Sequence, residues 1–217
     1  MITAISLMTT AVSAQSEGFS TKEWPADAEK PFVFYISGDG GFNGFSTGLC
    51  NTINNSGYAV TALNAKSYFW KKKTAGQSAE DIAAYLEKQF SKRKNQQLVL
   101  AGYSFGADVL PFIVNNLPDV IKKKLLSVIF LAPSPSTDFE IHWSDMLGGY
   151  TQRNMDVVAE INKMDVQKAV IITGVDDIEF PIKDITLKYH SHENLPGGHR
   201  FEGNTTEVVN TMIKYFK

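Results

Sequence analysis

A serine sits between two glycines in Gly102-Tyr103-Ser104-Phe105-Gly106, directly after the apolar run Leu98 to Ala101 and directly before the helix-forming residues Ala107 to Leu110. A hydroxyl in that setting can act as a nucleophile. A strand that turns into a helix within Gly-x-Ser-x-Gly lifts the serine out of the sheet, and the turn is so tight that a side chain at either glycine would strike the neighbouring strand or helix. The following helix sets its positive N-terminal end beneath the hydroxyl, which favours developing negative charge. Ser104 is therefore the candidate nucleophile. Asp108, four residues on and on the same helix face, reads either as a group that helps set the serine or as a satisfied helix residue.

A serine hydroxyl needs a base to take its proton and an acid to orient that base. Of the four histidines, His199 lies in the glycine turn Leu195-Pro196-Gly197-Gly198-His199, whereas His142, His190 and His192 lie in or beside strand-like runs and read as structural or surface groups. The acid is expected at the tip of a strand after the serine unit, and Ala169 to Thr173 ends in Gly174-Val175-Asp176-Asp177. Asp177 is preferred, because Gly-x-x-Asp before an apolar-proline turn is the usual spacing; Asp176 stays open. For the oxyanion, the N–H of Phe105 and one from Asp39 or Gly40, in the loop Ser37-Gly38-Asp39-Gly40-Gly41, are the expected donors.

These residues need a scaffold that brings loops to one edge. Residues 31 to 36, 58 to 63, 98 to 101, 125 to 132 and 169 to 173 are apolar runs of strand length, as in strands buried on both faces. Helical patterns lie between them: 43 to 56, a segment opening at Ser78-Ala79-Glu80-Asp81 as an approximate capping box, the helix after Ser104, and one beginning near Asn204. Pro111 should kink the helix after Ser104 or end it early. A last strand is expected at about 185 to 190, and residues 15 to 30 read as an irregular segment or edge strand. Strands alternating with helices imply a mostly parallel sheet flanked by helices, with its site at the carboxyl ends of the strands. The order Ser104, Asp177, His199 is that of an α/β-hydrolase triad, so the expected class is α/β and the expected fold is the α/β-hydrolase fold. Residues 133 to 166, with Asp138 to Trp143 alternating like a hairpin strand, suit a small cap over the pocket.

Three successive aromatics, Tyr68-Phe69-Trp70, precede Lys71-Lys72-Lys73. A helix or strand cannot bury three consecutive side chains on one face, so at least one is expected to line a pocket. Aromatics abutting lysines also suit transient contact with a lipid surface.

The chain has 217 residues, 43% hydrophobic and 20% charged, enough for one domain with an ample core over 15 to 217. A net charge of -2 gives no general electrostatic reason to bind nucleic acid. The single cysteine, Cys50, excludes an internal disulfide and any multi-cysteine metal site, and reads as a small buried apolar residue. No metal or cofactor is needed for the chemistry above. Residues 1 to 14 are uncharged and end Ala11-Val12-Ser13-Ala14, which fits a secretory signal peptide cleaved after Ala14, although no Lys or Arg precedes the apolar run.

The stretch from Gly102 to Phe112, with Ser37 to Gly41, Tyr68 to Trp70, Asp138-Phe139-Glu140 and Leu195 to His199, resembles the VirJ/AcvB family of bacterial virulence-associated periplasmic proteins across the mature chain. The resemblance implies an α/β-hydrolase fold, export to the periplasm, and hydrolysis of aminoacylated phosphatidylglycerol, with lysyl-phosphatidylglycerol the substrate of members known for it. It also implies a link to type IV secretion proteins in some members. Such a substrate carries a cationic aminoacyl group, for which Asp39, Asp138 and Glu140 are candidate partners, with Tyr68 and Trp70 as candidate pocket walls. Arg200 departs from the family, where a second histidine commonly follows the triad one, and bears on substrate preference.

Overall fold

Strands β2 (Phe32–Ile36), β4 (Leu98–Tyr103) and β8 (Ala169–Gly174) are buried at every position, which requires cover on both faces. The computed structural model describes residues 16–26, 29–93, 96–142 and 152–217; the expected signal peptide, residues 1 to 14, lies outside them. With β1 (Thr21–Trp24), β3 (Val60–Leu63), β5 (Leu125–Leu131) and β9 (His190–Leu195), these strands form a seven-stranded sheet of order β1-β3-β2-β4-β5-β8-β9. Every pairing is parallel except that of β1, which runs antiparallel to β3 at the edge.

Two short helices are α2 (Ala65–Tyr68) and α5 (Asp119–Lys122), and alternate strand side chains enter two cores. Phe32, Phe34 and Ile36 point with Leu100, Phe130 and Ile171 toward helices α3 (Ala75–Lys92) and α4 (Phe105–Asn116). Val33 and Tyr35 point with Val99, Ile129 and Val170 toward α1 (Gly44–Asn55) and α7 (Thr205–Ile213). Each such side chain contributes about 1.5–3 kcal/mol by leaving water, and the strict period of two prevents the central strands from slipping by one residue. β4 is the fourth of the seven strands, so its carboxyl end opens at the middle of the sheet edge.

Four expectations need correction. The last strand is β9 at 190–195, not 185–190: it is an edge strand with only Leu195 buried, while the apolar residues Ile185 and Leu187 pack as irregular chain after a short 3-10 turn at Ile182–Asp184. Helix α3 begins at Ala75, with the capping box formed by Thr74 and Gln77 rather than from Ser78, which is buried in its second turn. Pro111 does not end α4 early, since the helix continues to Asn116; nine consecutive residues, Gly106 to Val114, are buried, and packing outweighs the lost N–H. Asp138 to His142 form no strand. The two-stranded ribbon of the cap is instead β6 (Ser136–Thr137) against β7 (Met155–Asp156), followed by α6 (Val157–Asn162). Trp143 lies outside the described residues.

The first half of the cap is fastened to the chain after β3. Ile141 N–H donates to Phe69 O at 3.0 Å and Lys73 N–H to Phe139 O at 2.9 Å. The Phe139 ring is buried at 5.8 Å from Phe69 and 5.9 Å from Phe112.

Candidate active site

Ser104 joins β4 to α4 with φ 52° and ψ -125°, a backbone conformation that a residue with a β-carbon adopts only under constraint. The constraint comes from both sides. Ser104 N–H donates to Leu131 O of β5 at 2.9 Å, and Ser104 O accepts from Ala107 and Asp108 N–H as the helix begins. The glycines are obligatory: a β-carbon at Gly102 would lie 2.3 Å from Gly106 O, and one at Gly106 would lie 2.3 Å from Ile36 O.

The hydroxyl so presented meets two residues from distant parts of the chain. His199 Nε2 lies 2.8 Å from Ser104 Oγ, and His199 Nδ1 lies 2.9 Å from Asp177 Oδ2. With a neutral imidazole, Ser104 O–H donates to Nε2 and Nδ1–H donates to Asp177. Asp177 caps a turn after β8 through its N–H to Gly174 O; Asp176 instead points its N–H at Gly197 O and its carboxylate makes no contact with the imidazole. The strand tip and the histidine loop touch through backbone, since a β-carbon at Gly174 would fall 2.3 Å from Gly197 O. The Asp177 side chain is 15% exposed and that of His199 43%, so the carboxylate is shielded and the imidazole is reachable from solvent.

The loop after β2 passes directly beside the serine: a β-carbon at Gly38 would stand 3.4 Å from Ser104 Cβ. Of the two residues considered as donors in this loop, Gly40 has its N–H engaged by Asp39 Oδ1 at 2.8 Å, which leaves Asp39 N–H as the loop's candidate. Phe105 is the first residue of α4, so its N–H has no intrahelical acceptor.

The candidate substrate residues separate. Tyr68 is a core residue, 1% exposed, with its hydroxyl on Asp81 and its ring edge-on to Phe19 and Phe69; it does not line the site. The neighbouring ring, Phe69, is fully buried and packs 5.2 Å from the half-buried Phe105 ring, the residue after Ser104. Trp70 is 45% exposed. Asp138 lies 2.7 Å from His142 Nε2, within the cap, and Glu140 is half-buried beside it.

One group escaped the sequence reading, and another resolves to one of its two readings. Tyr103 donates its hydroxyl to His199 O at 3.2 Å. Asp108 is buried and accepts Ser134 N–H at 2.6 Å, tying α4 to the chain after β5 rather than setting the serine hydroxyl. Burial holds its carboxyl well above the usual carboxylate range, against the Ser134 hydrogen bonds that favour the ion. An aspartate at i+4 from the serine was the available signal; its partner, 26 residues away, was not visible in sequence.

Among the described residues no group of three or more His, Cys, Asp or Glu is placed to hold a metal ion, and no helix is long and apolar enough to cross a membrane.

Solved structures share this architecture. Est1E from Butyrivibrio proteoclasticus matches with a TM-score of 0.61 at 15% identity, covering 87% of this chain and 89% of that one. MenH from S. aureus matches with a TM-score of 0.62 at 14% identity, covering 90% and 97%. A putative α/β hydrolase from Agrobacterium tumefaciens matches with a TM-score of 0.56 at 20% identity, covering 90% and 88%. At these identities the likeness is one of fold, and the fold is that of the α/β-hydrolases. Among curated proteins none matches the sequence. The profile of the bacterial virulence protein VirJ matches residues 30–217, nearly the whole sheet and all three residues of the hydrogen-bonded chain, and the protein belongs to the VirJ family.

Proposed function

We propose that this protein is an exported serine esterase that removes the aminoacyl group from aminoacyl-phosphatidylglycerol. The observation that carries the esterase chemistry is the continuous hydrogen-bonded chain Ser104 Oγ, His199 Nε2, His199 Nδ1, Asp177 Oδ2, at 2.8 and 2.9 Å. As Ser104 Oγ attacks the ester carbonyl, His199 takes the hydroxyl proton and Asp177 stabilises the imidazolium. Collapse of the tetrahedral intermediate breaks the ester C–O bond. The proton on Nε2 passes to the leaving glycerol oxygen, which frees phosphatidylglycerol and leaves the aminoacyl group on Ser104. Water, deprotonated by His199, then attacks the acyl-serine and releases the amino acid. Phe105 and Asp39 N–H serve the oxyanion in both steps, each donor contributing about 3 kcal/mol.

The lipid and its location rest on family membership, on the composition of residues 1 to 14, and on chemistry at the rim. The Asp39 carboxylate, next to Gly38, whose β-carbon would stand 3.4 Å from Ser104 Cβ, would receive the ammonium group; Asp138 and Glu140, on the cap, are the further candidates. Exposed Trp70 with Lys71 and Lys72 suits an anionic membrane surface. Secretion-system proteins remain proposed partners on family grounds alone.

A second reading, a broader carboxylesterase or thioesterase on soluble esters, is favoured by the fold shared with Est1E and with a thioesterase domain from the curacin biosynthetic pathway, the latter at a TM-score of 0.59 and 14% identity over 92% of this chain. The deciding experiment gives purified protein lysyl- and alanyl-phosphatidylglycerol in mixed micelles beside short acyl esters and acyl thioesters, with Ser104→Ala in parallel. Release of lysine or alanine by wild type alone supports the lipid reading. Turnover confined to the soluble esters selects the second, and no turnover of any substrate leaves only a binding protein on a hydrolase scaffold.

A further inference from the structure

The residue before the nucleophile reaches the base. Tyr103 closes β4, is 4% exposed, and its hydroxyl donates to the backbone carbonyl of His199 at 3.2 Å. Its ring stands 5.6 Å from the imidazole, tilted by 44°. Behind it, Phe45 packs 4.7 Å from Tyr103 and 6.3 Å from Phe201, which is buried two residues beyond His199. Tyr103, Phe45 and Phe201 thus form an aromatic column under the histidine loop.

That loop needs outside support. Gly197, Phe201 and Glu202 all have positive φ, at 90°, 50° and 52°, and the two non-glycine residues are held there against their own preference. The Asp177 contact orients the imidazole about Nδ1 but leaves the backbone position of His199 to other contacts. A hydroxyl from the rigid central strand to the His199 carbonyl supplies one of them.

We propose that Tyr103 is a positioning residue for His199. Its backbone fixes where Ser104 stands, and its hydroxyl fixes where the histidine loop stands, so a single residue sets the separation of proton donor and acceptor. The inference rests on the esterase reading, because it assigns His199 the proton transfer. Tyr103 is only 4% exposed, which leaves little of it for substrate to touch, so its loss acts on the chemical step, where small displacements of a reacting group are costly.

The test is Tyr103→Phe, which removes one oxygen and keeps the aromatic column. With a short aryl ester, kcat is expected to fall about tenfold while KM stays within about twofold of wild type, with a circular dichroism spectrum matching wild type. Hydrogen exchange at the Phe201 amide, which bonds Gly198 O inside the loop, should quicken. The exchange measurement needs no turnover. A wild type without esterase activity would overturn the catalytic reading, while faster Phe201 exchange in the variant would still establish the tether. Unchanged kcat in an active enzyme, unchanged exchange, or a KM that rises in step with a falling kcat would each overturn the proposal.

Discussion

Asp177 and not its neighbour Asp176 faces the imidazole: Asp177 Oδ2 lies 2.9 Å from His199 Nδ1, and the turn made by Asp177 N–H to Gly174 O directs the side chain there. Two adjacent acids of one sequence are thereby given different surroundings. Asp177→Asn is expected to lower kcat on an aryl ester by about 10⁴-fold, since an amide can hold the wrong imidazole tautomer. Asp176→Asn should stay within about twofold of wild type. Equal losses in the two variants, read by steady-state kinetics, would reject the assignment.

Ser104 holds a backbone conformation natural to glycine, with φ 52° and ψ -125°. Strain of that kind costs about 1–3 kcal/mol, part of which a glycine recovers and part of which it returns as greater freedom of the unfolded chain. Ser104→Gly should therefore melt about 2–4 °C above Ser104→Ala, with both inactive. Identical melting temperatures by calorimetry would mean that the elbow stores no strain at this residue.

Gly174 is the point at which the strand leading to Asp177 and the loop carrying His199 meet. A β-carbon there would lie 2.3 Å from Gly197 O and 2.4 Å from Gly198 O, both backbone atoms that cannot step aside cheaply. Gly174→Ala should destabilise the fold by about 3 kcal/mol. Labelling of Ser104 by a fluorophosphonate should slow more than the loss of folded protein explains, because the displaced loop carries His199. Normal labelling of the folded fraction would show that the loop absorbs the shift.

What could be read from the sequence follows from how many constraints each residue type carries. The central strands were legible because burial on both faces leaves only apolar residues, as in Leu98 to Ala101 and Ala169 to Ile172. β9 was not, because an edge strand beside solvent tolerates His190, His192, Glu193 and Asn194, while apolar Ile185 and Leu187 fill the core without forming a strand. Ser104, Asp177 and His199 could be singled out because glycines mark the turns that carry them. Tyr68 and Phe69 could not be ranked, since which of two successive rings turns toward Phe105 depends on the short helix at Ala65–Tyr68. The bond from Tyr103 to His199 spans 96 residues and leaves no local pattern.

Asp108 should give the protein a pH-dependent stability. Its carboxyl is buried between α4 and the chain after β5, and burial holds it well above the ordinary carboxylate value of 3.8, with Ser134 hydrogen bonds opposing and the charges of Asp39 and Asp177 reinforcing the shift. For a group whose pKa is raised on folding, the associated stability is present in full below the unfolded value and is lost as pH rises through the folded one. Wild type should accordingly lose stability over that span above pH 3.8. Asp108→Asn keeps an oxygen that can accept Ser134 N–H and carries no charge, so its urea midpoint should vary less with pH and should exceed that of wild type at the alkaline end. Parallel stability profiles for the two proteins would show that Asp108 does not titrate across the range and that its burial is fully compensated by Ser134.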